Sequence, residues 1–147
     1  MQRASRIAAS AASFTRAVAS VPLRRLVASM AEFTTVPPRE AKALLETSHT
    51  FLDVRTEEEF AKSHVEGAVN VAVMTGDPHK GASEKRSDFL DIVRSKFQPD
   101  TPLVVSCGAG RRAAVAAADL VEAGFTKVVS LEGGLKAWKG EGFPLVE

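Results

Sequence analysis

Leu103-Val104-Val105-Ser106 reads as a short buried strand. It runs through Cys107-Gly108-Ala109-Gly110-Arg111-Arg112 into an Ala-rich helix that continues to Ala123 and stops at Gly124. This strand–loop–helix unit constrains the fold more than any other stretch, because a helix leaving a buried strand packs back on the sheet. The rest of the chain repeats the alternation. Pro37-Pro38 pre-set the first turn of a helix running to about Glu46, and Thr50–Val54 follows as a strand. Thr56 and Glu59 have capping-box spacing, with Glu57, Glu58 and Glu59 in the turn where the helix dipole favours negative charge. Ala68–Val71 reads as a strand, Met74–Arg86 as a polar loop, and Phe89, Leu90, Val93 and Phe97 as one face of a helix. Lys127–Leu131 is a further strand. Gly133-Gly134 then turns into a short helix whose Trp138 fills the core, and Gly142-Phe143-Pro144 closes the domain. The expected fold class is α/β over residues 32–147, with a mostly parallel central sheet flanked by helices on both faces.

Charge is distributed unevenly. Nineteen Lys and Arg against eighteen Asp and Glu give a net charge of +1, which offers no argument for nucleic acid as a partner. Residues 1–31 hold five arginines and no acid, leaving 14 basic against 18 acidic groups in the other 116 residues. That Ala-, Ser- and Arg-rich segment reads as an organelle transit peptide, cleaved near Val27-Ala28-Ser29, for chloroplast or mitochondrion with a slight preference for the chloroplast. The alternative is a retained, disordered basic tail, and Met30 offers an internal start for a cytosolic form. No apolar run approaches the roughly 18 residues of a membrane helix. A single cysteine excludes an intrachain disulfide and a CxxC zinc or redox pair.

The chemistry concentrates at Cys107, at the carboxyl end of a strand, where open α/β sheets bind ligands. If the loop curls, the amides from Gly108 to Arg112 point at the sulfur, and glycine at 108 and 110 removes hindering Cβ atoms. Amides, helix N-terminus and guanidinium groups together favour a thiolate, the nucleophilic form. The blander reading is a small buried hydrophobe at a strand end, which needs no anion nest. A third reading is dinucleotide binding, since Gly108-x-Gly110-x-x-Ala113 fits that fingerprint and Glu132 ends the next strand. Against it, 116 residues are few for such a domain with a substrate site, and only one short βα unit follows.

Four motifs, in order, resemble the rhodanese-like sulfurtransferases, in particular the plant-type single-domain thiosulfate sulfurtransferases. They are Leu52-Asp53-Val54-Arg55 with Glu59-Phe60; His64-Val65-Glu66-Gly67-Ala68-Val69-Asn70-Val71; the loop from Cys107 to Arg112; and Glu132-Gly133-Gly134-Leu135-Lys136-Ala137-Trp138. The resemblance covers about residues 36–144. It departs at Ser63, where the family usually has glycine, and at Ala109 with Arg111, where close relatives more often have Ser and Gly. It implies that Cys107 takes the outer sulfur of thiosulfate or 3-mercaptopyruvate as a persulfide and passes it to cyanide, a thiol or a protein cysteine. Gly108, Ala109, Gly110, Arg111 and Arg112 would bind substrate, with Arg112 at the Cys-x-x-x-x-Arg position. Thus Arg112→Ala should weaken donor turnover more than Arg111→Ala.

Phosphatases and arsenate reductases of the same fold carry one more loop residue, although arsenate reductase-like activity stays as a minor alternative. Asp53, Arg55 and Glu59 are expected to support the site, Asp53 accepting hydrogen bonds and Arg55 pairing with Glu59. His64 is expected to be a satisfied turn histidine, and His79 and Lys80 solvated loop residues. Neither metal nor organic cofactor is implied. With no second cysteine to discharge a persulfide, the acceptor is a small molecule or another protein's thiol, thioredoxin or glutathione being candidates. The competing class is a non-enzymatic module that binds a partner or senses redox state.

Overall fold

The computed structural model describes residues 33–76, 81 and 83–147. The segment read as a transit peptide, with its cleavage site and Met30, lies outside the described residues, as do His79 and Lys80. Five strands form one sheet in the order β1-β7-β6-β2-β3, with β1 at Thr34–Val36, β2 at Thr50–Asp53, β3 at Val69–Asn70, β6 at Leu103–Ser106 and β7 at Val128–Leu131. Every pairing in it is parallel. Among the described residues four helices connect the strands, α1 at Pro38–Thr47, α2 at Glu57–Lys62, α3 at Phe89–Lys96 and α4 at Arg111–Glu122, and a fifth, α5 at Gly134–Gly140, follows the last strand.

Strand alternation divides the core in two, because successive residues point to opposite faces. Leu52, Leu103 and Val105 join Phe89 and Val93 of α3 and Ala113, Ala116, Ala117 and Leu120 of α4. Phe51 and Val104 face the other way, joining Ala41 of α1 and Leu135 and Trp138 of α5. Helices thus cover both faces, which an all-parallel sheet requires. The indole of Trp138 meets Phe51 and Phe143 edge-on at ring distances of 6.0 and 5.1 Å and donates to the Pro144 carbonyl at 3.1 Å.

Two elements differ from the expectation. Thr34–Val36 is an edge strand with no independent signal in three residues, and it exists through its parallel register with Val129, Ser130 and Leu131. The Met74–Arg86 stretch is not wholly a loop: Met74–Thr75 (β4) and Glu84–Lys85 (β5) pair as a short antiparallel ribbon. Lys85 pins this ribbon to α4 through Asp119 at 2.8 Å. Among the described residues no helix is long and apolar enough to cross a membrane.

Leu120 is fully buried between α4 and the sheet. Leu120→Ala should cost about 3 kcal/mol, the range for a core cavity of this kind, read as a lower urea midpoint at unchanged slope.

Candidate active site

Parallel register sets the site. Asp53 pairs with Ser106, so the carboxyl ends of β2 and β6 lie level and Cys107 leaves the sheet beside Val54 and Arg55. The loop then folds on itself. Gly110 takes a left-handed φ of 111° that side chains rarely adopt, and α4 starts at the next residue. In consequence the Gly110 amide donates to Cys107 Sγ at 3.0 Å and the Ala113 amide donates to the same atom at 3.3 Å. The amides of Gly108, Ala109, Arg111 and Arg112 have no acceptor among the described residues and remain available to a ligand.

The loop's carbonyls are held from behind. The Leu135 amide donates to the Cys107 carbonyl at 2.8 Å and the Lys136 amide to that of Gly108 at 3.0 Å. Gly134 makes this approach: a Cβ there would lie 2.6 Å from both carbonyl oxygens, and its φ is +62°. Neither its role nor that of Lys136 follows from sequence spacing. The Gly-Gly pair signals a turn but not what the turn presses against.

Two ion pairs frame the loop. Asp53 is wholly buried, and its carboxylate accepts from the Arg55 amide and Nε at 3.0 Å and from its Nη2 at 2.8 Å. The expected pairing of Arg55 with Glu59 is corrected. Arg55 meets Glu59 through the main-chain oxygen at 3.5 Å and donates to the Ser63 carbonyl at 2.7 Å, because the fork is filled by Asp53 two residues away. The Glu59 carboxylate instead accepts from Arg112 Nη1 at 2.7 Å and Nη2 at 3.1 Å while completing the capping box with Thr56. Desolvation opposes ionisation of Glu59 and is the largest single influence. Hydrogen bonds from Arg112 and Thr56 and the Arg112 charge outweigh it and bring the carboxyl down from 4.5 to about 2. Arg112 is held above its ordinary value; desolvation opposes this, and Glu59, the Cys107 sulfur and Asp53 together prevail.

A cleft of about 670 Å³ opens over the loop. Cys107, Gly108, Ala109, Arg111 and Arg112 line it, as do Met74 and Ser83 from the ribbon region, Val115 and Lys136. Gly110 turns its amide to the sulfur, whereas Asp53, Arg55 and Glu59 lie behind the loop. His64 is satisfied away from the cleft: its Nδ1 lies 2.8 Å from the Phe60 carbonyl and its ring stacks on Phe60 at 3.9 Å. Ser63 is extended, with φ −168° and ψ 148°, a conformation that does not require glycine. Among the described residues no cluster of three or more His, Cys, Asp or Glu could hold a metal ion.

The family model described as Rhodanese-like domain matches residues 37–141. Two relatives in Arabidopsis thaliana are each 43% identical. Protein HIGH ARSENIC CONTENT 1, mitochondrial, aligns over 74% of this chain and 63% of its own length; thiosulfate sulfurtransferase 16, chloroplastic, over 71% and 85%. The chain therefore spans less than two thirds of the first relative. The solution structure of a rhodanese-like domain from Anabaena is similar at a TM-score of 0.64 with 25% identity, covering 78% of this chain and 80% of that one.

Two expectations follow from the geometry. Gly134→Ala should destabilise the fold by about 3 kcal/mol or more and slow alkylation of Cys107, since its methyl meets backbone that cannot move aside. Gly142→Ala, with φ +82° and open space around it, should cost only about 1 kcal/mol and leave alkylation unchanged. The Glu59 carboxyl is depressed, so its contribution to stability is fully present above about pH 4.5 and disappears as pH falls towards about 2. Urea melts at pH 7, 5.5, 4 and 2.5 should show the advantage of the native protein over Glu59→Gln equal at the first two and then shrinking across that window.

Proposed function

We propose, from the premise that the chain belongs to the rhodanese-like domain family, that it is a sulfurtransferase working through a persulfide on Cys107. The observation that carries this reading is a lone cysteine lining a cleft, its sulfur accepting two backbone amides while further amides of the same loop have no acceptor among the described residues. Inward-pointing amides favour negative charge on sulfur without a neighbouring base. The histidine of the chain's motifs, His64, is engaged elsewhere.

In the first half-reaction Sγ attacks the outer sulfur of thiosulfate. A new S–S bond forms, the bond to the sulfonate sulfur breaks, and sulfite leaves with the electron pair. The charge stays on the terminal sulfur, where the open amides of the loop stabilise it. In the second half-reaction an acceptor nucleophile takes that sulfur: cyanide becomes thiocyanate or a thiolate becomes a persulfide, and Cys107 departs as thiolate. 3-Mercaptopyruvate is the second donor class. No described residue offers a second thiol, and the sequence has one cysteine, so discharge depends on an external acceptor such as glutathione or thioredoxin. The acid-free, arginine-bearing first 31 residues, together with relatives named mitochondrial and chloroplastic, support organelle import of this chain.

A module that only senses redox state would be modified once and would not cycle. Intact mass of the full-length protein after thiosulfate should rise by one sulfur atom, return on addition of cyanide, and stay unchanged in Cys107→Ser. Repeated cycles with donor and acceptor in excess are expected. A folded protein with a titratable thiol that gains no sulfur from either donor would overturn the proposal.

A further inference from the structure

Among the described residues, the cleft over Cys107 is lined by three cations, Arg111, Arg112 and Lys136, and by no carboxylate. The three are not equivalent. Arg112 has a side chain only 11% exposed and a bidentate pairing with Glu59, so its charge is already answered within the protein. Arg111 and Lys136 are exposed, and neither has an ion-pair partner among the described residues. They come from different elements, the first residue of α4 and the third of α5. Both are anchored at the root. Arg111 follows the left-handed Gly110 whose amide touches the sulfur, and the Lys136 amide is bonded to the carbonyl of Gly108, the neighbour of Cys107.

We infer that Arg111 and Lys136 form a two-cation clamp for the anionic tail of the sulfur donor, and that Lys136 makes the site favour dianionic donors over monocarboxylates. Two charges with no counter-ion among the described residues gain with each negative charge the ligand brings, so a tail carrying two gains more than a tail carrying one. During transfer from thiosulfate the electron pair of the breaking S–S bond passes to the departing sulfite, and the clamp stabilises charge arriving there. Arg112 then acts as a positioning residue, tying the start of α4 to α2 through Glu59. The inference rests on the sulfur-transfer reading for the identity of the donor but not for the placement of charge.

The test uses two alkylating probes on the full-length protein, anionic iodoacetate and neutral iodoacetamide, whose rate ratio at Cys107 reads the local field. Relative to free glutathione, the native ratio should be raised. In Lys136→Met it should fall about fivefold, and in Lys136→Arg it should return to within about twofold of native. Raising salt from about 0.05 to about 0.5 M should compress the native ratio towards that of the Met variant, since exposed charges are screened. Persulfide formation should likewise lose more with thiosulfate than with 3-mercaptopyruvate in Lys136→Met. A ratio unchanged by that substitution overturns the clamp. The alkylation ratio needs no sulfur donor, so a native protein that takes up no sulfur yet shows the Lys136-dependent ratio retains the clamp and overturns the sulfur-transfer reading alone.

Discussion

Two hydrogen bonds at the back of the loop decide what the front can do. A peptide unit points its carbonyl and its amide in opposite directions, so a turn whose carbonyls are engaged on one side presents amides on the other. Here the carbonyls of Cys107 and Gly108 are taken by the amides of Leu135 and Lys136. Gly134 permits the approach, because any Cβ would stand 2.6 Å from both oxygens. The Cys107 loop and the Gly-Gly turn are therefore one device assembled from two parts of the chain. The last helix, short as it is, belongs to the candidate site rather than to a terminal appendage.

The same economy governs charge. Buried ionic groups are costly unless paired and hydrogen-bonded, and Asp53 with Arg55 meets that demand through four short contacts between residues two apart. Glu59 with Arg112 meets it across 53 positions. Each pair fixes a geometry: Arg55 gathers the Glu59 and Ser63 carbonyls around the end of α2, while Glu59 closes the cap of that helix and holds the first turn of α4. Such pairs add little net charge to the cleft. The field there comes from Arg111 and Lys136, which have no counter-ion among the described residues. The part of the chain after residue 31 has more acidic than basic groups, so the cleft is locally positive on a domain whose sum is negative.

Local signals were readable in the sequence wherever local physics decides the outcome. The capping box at Thr56 needs only a four-residue window, and it is present. The strand at Leu103–Ser106 follows from its apolar run and occupies that position, whereas the Ala-rich helix begins at Arg111, taking in the two arginines that read as loop. Thr34–Val36 was invisible because three residues have no period, and a neighbour almost a hundred residues later supplies their partners. The β4–β5 ribbon was hidden for the same reason, its pairing lying across a polar stretch. The sequence reading pairs Arg55 with Glu59 to anchor the next helix, whereas the guanidinium fork is filled by the Asp53 carboxylate two residues away, which accepts from both Nε and Nη2. Lys136 carried no chemical signal at all. A lysine on a short helix is ordinarily solvated, and only the fold puts it beside Cys107.

Loop size finally bears on what the site can accept. Four residues separate Cys107 from Arg112, and the curl is tight enough that the amides of Gly110 and Ala113 converge on one atom at 3.0 and 3.3 Å. With two amides already on the sulfur, the loop amides that have no acceptor among the described residues are left for one further atom bound to it. A tetrahedral oxyanion needs a wider ring, with amides meeting several oxygens rather than one. On the proposed reaction the transferred group is a single sulfur atom, and the bulky anionic remainder of the donor stays outside the ring. It then lies in the open cleft, where Arg111 and Lys136 stand. The division between a narrow amide cradle and a wide cationic mouth is what a reaction needs when one atom is kept and a charged fragment is released.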